Sequence, residues 1–117
     1  MGADTRAWVA VFDALKPKHP KLKLRRSLLA ADVRPTTLKR YYDRALLAQG
    51  WHAASLPTLQ TRRAWASGYE RDGYVFAVVG LNSSYAVRVT GIPGQSGAVS
   101  VLPLNILTDV PIEEETP

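Results

Sequence analysis

The sequence predicts an α+β domain with one or two N-terminal helices packed on a four- to five-stranded antiparallel sheet. Three observations lead there. Helical periodicity fills the first half of the chain, and period-two alternation punctuated by turn residues fills the second. No strand alternates with a helix in the manner of a parallel βαβ sheet. A chain of 117 residues, 46% apolar and 21% charged, also has the length and composition of one domain with its own core. The reading takes residues 1–112 as that domain and 113–117 as an acidic, flexible tail.

Asp4 is a candidate N-cap, and Trp8, Val11, Phe12 and Leu15 recur at helical spacing, so residues 5–15 read as an amphipathic helix that Pro17 ends. The next eleven residues, KPKHPKLKLRR, hold six Lys/Arg and two prolines and resist helix formation until after Pro20. From Leu22 two readings stay open. Leu22 and Leu24 alternating with lysines suggest a strand running to Val33; the apolar cluster beyond suggests a short helix over 27–31.

Pro35 and Thr36 suit a helix start, the first by its fixed backbone and the second by its capping hydroxyl. Leu38, Tyr41, Tyr42, Ala45, Leu46 and Gln49 then follow at steps of three and four, with Lys39, Arg40, Asp43 and Arg44 on the opposite face. Gly50 is a natural C-terminal cap, so the second helix spans 36–49. Residues 52–61, HAASLPTLQT, read as a polar connection.

Strand patterning follows. Residues 63–69 form the first strand, and Asp72-Gly73 is a strong hairpin turn. Residues 74–81, YVFAVVGL, are apolar on both faces, as in a central strand covered twice. Asn82-Ser83-Ser84 reads as the next turn, 85–90 as an alternating strand, 91–97 (GIPGQSG) as a flexible loop, and 98–102 as the last strand of a four-strand antiparallel meander. Residues 103–112 remain as an apolar coda.

Charge is distributed unevenly. Residues 1–63 contain thirteen Lys/Arg against four Asp/Glu, a net +9, and residues 64–117 contain two against six, a net −4. A basic half of this kind can collect phosphates and release their counterions. Lysine and arginine are equally the ordinary solvated face of a helix and the guard of an edge strand.

The chemistry-bearing residues are few. The absence of cysteine excludes disulfides, thiolate metal sites and thiol nucleophiles. His19 and His52 are the only histidines, and without a partner pattern around them both read as surface residues. No metal-ligand spacing occurs, GIPGQSG lacks the Gly-Lys-Ser/Thr ending of a phosphate loop, and Asp13 and Asp32 have no second carboxylate at helical spacing. The expectation is a non-enzymatic protein with no catalytic, cofactor or metal site. No window reaches the length of a membrane span. The first twenty residues lack a basic leader with an apolar run, which places the chain in the cytoplasm by default and outside it if a leader precedes Met1.

Two family resemblances bear on the basic helix. SLLAADVRPTTLKRYYDRALLAQGW is similar to the scaffold helix, tight turn and recognition helix of winged helix-turn-helix proteins. That resemblance implies DNA contacts by Arg34, Thr36, Thr37, Lys39, Arg40 and Arg44. Tyr41, Tyr42, Leu46, Gly50 and Trp51, preceded by a strand-like LKLRRSLLAADV and followed by strands, resemble small α+β accessory modules of bacterial envelope and secreted proteins. This second resemblance covers more of the chain and implies a binding or structural domain without catalytic residues.

The aromatic residues divide in the same way. Trp8, Tyr42, Trp51 and Trp65 read as core anchors, while Tyr41, Tyr69 and Tyr74 are candidates for exposed rings that stack nucleobases. The favoured function is a small non-enzymatic binding or assembly module of a bacterial-type protein, self-associating through a strand edge or the 103–112 coda. The alternative is a nucleic-acid-binding protein using the basic half, in which Lys21, Lys23, Arg25 and Arg26 join the six helix residues.

Overall fold

The computed structural model describes residues 3–30, 34–56, 59, 62–83, 85–92 and 95–111, with Ala3, Leu28, Ala30, 85–92 and 95–100 described by their backbone alone. Two helices and six strands follow in the order α1 (Ala3–Leu15), β1 (Lys23–Ala30), α2 (Pro35–Ala48), β2 (His52–Ala54), β3 (Ala64–Arg71), β4 (Tyr74–Leu81), β5 (Tyr85–Ile92) and β6 (Gln95–Thr108). Every strand pairing is antiparallel. The sheet order is β1-β6-β4-β3-β2, with β5 paired to β6 outside this path. This is the expected α+β class.

Successive strand side chains point to opposite faces, so β4 divides its apolar residues between two layers. Val75, Ala77 and Val79 join Ala7 and Val11 of α1, together with Leu22, Ala64 and Leu107. Val78 lies with Leu38 of α2, Trp65, Leu102 and Leu104, and Phe76 packs beside them. One helix therefore covers each face of the sheet. That is why YVFAVVGL is apolar throughout: both faces of β4 are core.

The two turns around β4 behave differently. Asp72 (φ 52°) and Gly73 (φ 84°) both occupy the left-handed region, as a tight two-residue hairpin between β3 and β4 requires. The chain does not reverse between β4 and β5. Phe76 to Gly80 pair with Thr108 to Leu104, and Tyr85 to Val89 pair with Val101 to Gly97. β4 and β5 thus run end to end in one direction along the same side of β6. The expected four-strand meander is corrected to one long hairpin whose first arm is interrupted. Asn82 anchors the interruption: its amide N–H donates to Arg63 O and its side-chain Nδ2 to Arg62 O, both at 2.7 Å.

The apolar coda is also corrected. Residues 103–108 are the sheet-centre portion of β6, clasped between β1 and β4, and Leu104 and Leu107 are buried. A dimer surface built from them would require opening the core. The open choice over 22–33 resolves to a strand for Lys23–Ala30, and 31–33 lie outside the described residues. Residues 113–117, the expected tail, also lie outside them.

Helix termini follow local chemistry. Gly50 (φ 87°) closes α2 in a Schellman arrangement, with Trp51 N–H donating to Leu46 O and Gly50 N–H to Leu47 O. Pro35 sits in the first turn as expected, but Arg34 is the N-cap and makes no side-chain capping bond, so Thr36 does not cap. Asp4 is not an N-cap either. It lies inside the first turn of α1, where its carboxylate accepts from Asn105 and Arg26. No described helix is long and apolar enough to cross a membrane.

Candidate functional site

Helical geometry divides the sequence-derived contact residues of α2 between two flanks. Leu38, Tyr42, Ala45 and Leu46 turn toward the sheet, with Leu38 and Leu46 buried. Residues three and four apart are neighbours on a helix, so Thr37, Arg40, Tyr41 and Arg44 form one stripe that runs from Tyr41 at the flank onto the solvent face, and Lys39 and Asp43 form another. Thr37, Arg40, Tyr41, Arg44 and Ala45 line an open groove of about 570 Å³. Tyr41 is 64% exposed and is held edge-on against Tyr42, ring centres 5.4 Å apart. Two guanidinium groups therefore flank an exposed aromatic ring.

The other flank borders a second cavity of about 500 Å³, lined by Lys39, Asp43, Leu56, Leu59 and residues of β2 and β3. Here the charges are mixed. Asp43 accepts a 3.2 Å hydrogen bond from the hydroxyl of Tyr69, which corrects the expectation that Tyr69 is an exposed stacking ring: it is 2% exposed, in a cluster with Leu46 and Trp51. Burial, then the Asp43 charge and its hydrogen bond, raise the Tyr69 hydroxyl above the usual tyrosine value. Tyr42 is raised in the same direction by burial and then by Tyr41.

The remaining candidates scatter. Arg34 and Thr36 are exposed at the start of α2, and Lys21 is exposed ahead of β1. Strand alternation places Lys23 and Arg25 on the sheet face that α2 covers, in line with Leu29, which packs against the Leu38 cluster. Arg26 points to the α1 side instead and forms a 2.6 Å ion pair with Asp4. Its charge is neutralised within the fold. Arg71–Asp72 is a further ion pair and His19–Asp109 a hydrogen-bonded pair, and none of the three engages Arg40 or Arg44.

His19 departs from the surface residue expected. Its side chain is only 13% exposed, and Nδ1 lies 2.7 Å from Asp109 Oδ2, while Asp109 Oδ1 accepts the Val75 amide at 2.9 Å. The pair ties the turn after α1 to the end of β6. Among the described residues no hydroxyl is hydrogen-bonded to the His19 ring, so the geometry is that of a clamp. Nothing local in the sequence marks this pair, because its members are 90 residues apart. The short β2 was likewise hidden inside a polar connection. Its three residues pair with β3.

Comparisons with protein-family models, curated proteins and solved structures gave no match to this chain.

Proposed function

We propose that the protein is a non-enzymatic binding module whose working surface is the Thr37–Arg40–Tyr41–Arg44 flank of α2, and that its ligand is a polyanion, nucleic acid being the class this chemistry fits. One observation carries the reading: Arg40 and Arg44, with no acidic partner among the described residues, stand beside a tyrosine ring exposed to solvent. Guanidinium groups bind phosphate oxygens in a planar fork, an exposed ring stacks on a base, and a threonine hydroxyl donates to a phosphate. Lys23 and Arg25 extend the positive field on the same face of the sheet.

The mode of contact differs from that of a helix-turn-helix. α2 follows a strand, and its inward face is fixed on the sheet, so a nucleic acid meets the flank of the helix. Assembly through a strand edge is less favoured. β1 is an outer strand, and exposed Lys23 and Arg25 along it oppose pairing with another copy.

Fluorescence anisotropy with duplex and single-stranded DNA at several salt concentrations tests the reading. Two or three phosphate contacts give a slope of log affinity against log salt of roughly −2 to −3 on duplex DNA. Arg40→Glu with Arg44→Glu removes binding while the circular-dichroism melt stays unchanged, since both side chains are exposed. Flat titrations at micromolar protein would sink the proposal.

A further inference from the structure

We propose that the acidic run Glu113, Glu114 and Glu115 of this chain docks on the Arg40–Tyr41–Arg44 flank of α2 and competes there with the polyanion. The inference rests on the reading of that flank given above and names a second, internal occupant for it.

Position comes first. Val110 packs against the cluster of Leu46, Trp51 and Tyr69, in company with Tyr42 and Phe76, so the chain leaves β6 on the face that α2 covers, beneath the C-terminal half of that helix. Pro111 follows at the surface. From Pro111 the third glutamate is four residues on, a reach of up to about 14 Å in extended chain. Arg40 and Arg44 are one helical turn apart, about 6 Å along the axis. The acidic run therefore begins on the side of the sheet that carries α2 and its arginines.

Charge selects the flank. Three of the chain's ten acidic residues are consecutive here, and they follow a segment packed under the helix that carries two arginines which no carboxylate among the described residues engages. The opposite flank carries Asp43 beside Lys39 and offers a glutamate run no net positive charge. Lys23 is the rival site, since it pairs across the sheet with Thr108 near the same exit. It offers cations without the groove that Tyr41 and Ala45 floor. A short tether holds the run at millimolar effective concentration, which makes a modest intrinsic affinity sufficient.

The test compares the wild-type chain with Glu113→Gln/Glu114→Gln/Glu115→Gln, which keeps the length and removes the charge. In low salt without DNA, amide NMR shifts differ between the two chains over residues 37–45, and the differences vanish in an Arg40→Glu/Arg44→Glu background. With duplex DNA, the glutamine chain binds roughly five- to tenfold tighter than wild type, and the gap closes as salt rises. Shift differences centred on Lys23 and Arg25, or none at all, overturn the docking even if both chains bind DNA equally. Differences on α2 with no DNA binding by either chain uphold the docking and overturn the nucleic-acid reading instead.

Discussion

Asn105, near the middle of the sheet, donates its side-chain amide to Asp4 Oδ1 at 2.6 Å and so fastens the first turn of α1 to β6. Asn105 is fully buried, and the second Asp4 oxygen takes Arg26 at 2.6 Å. Asp4→Ala leaves the buried Asn105 amide only its long 3.4 Å bond to Val79 O and costs about 2 kcal/mol of stability. Asp4→Asn keeps an acceptor for Asn105 and loses only the pair with a half-exposed arginine, so it costs about 1 kcal/mol. Urea unfolding of the two variants checks the order; equal losses would contradict it.

Trp65 lies across Gly80, its partner in the β3–β4 register, so closely that a Cβ on Gly80 would meet the indole at 2.7 Å. Both strand and ring are packed into the α2-side core, and the ring has little room to move. Gly80→Ala therefore destabilises by roughly 1–3 kcal/mol. In a Trp65→Leu background the same substitution becomes nearly neutral. A double-mutant cycle by thermal melting reads the coupling.

Alkaline pH acts through the two raised tyrosines. A phenol whose folded pKa exceeds its unfolded value contributes stability that is present in full below the unfolded value, near 10, and is lost as pH rises from there through the folded value. Tyr69 and Tyr42 both shift upward on folding, so the protein weakens above about pH 10. Tyr69→Phe flattens that decline, because phenylalanine has no proton to lose. The measurement is the melting temperature between pH 8 and 11.

Asp109 holds two partners and His19 holds one. Asp109→Ala leaves the Val75 amide and the His19 ring both unpaired, whereas His19→Ala leaves Asp109 its bond to Val75. The first costs about 2 kcal/mol and the second about 1 kcal/mol. Chemical denaturation that ranks them the other way would show that the clamp works chiefly through packing of the histidine.

Lys23 and Arg25 stand on an outer strand, where their charges keep other strands away. Lys23→Thr with Arg25→Thr retains strand propensity and removes the repulsion. Light scattering after size exclusion then shows dimers or larger species at concentrations where the wild type shows none. The same variant lowers DNA affinity less than the Arg40/Arg44 pair does.

Much of this architecture was legible in local sequence. Alternation and periodicity identified both helices, the Asp72-Gly73 hairpin and the doubly covered β4, since each is decided by residues within a turn or two of one another. β1 resolved to a strand because β6 supplies its hydrogen bonds, a partner no local window contains. The collinear path of β4 and β5 was misread for a related reason. Asn-Ser-Ser favours a turn, but the backbone of Asn82 is bonded to Arg63 and the following residues continue along β6. Of the candidate contacts, Arg26 looked equivalent to Arg25 in sequence, and only the pleat separates them, one toward α1 and Asp4, the other toward solvent beside α2.

The placement of β6 between β1 and β4 governs how this chain reaches its native state. Lys23 pairs with Thr108 and Leu24 with Leu107, contacts that span most of the sequence. A ribosome extruding the chain must release nearly all of it before the sheet can close, and α1 has no complete face to settle on until then. Contacts so remote in sequence slow the search for the native topology. Loss of residues 101–108 would remove the strand that joins the two halves of the sheet and leave β1 without a neighbour.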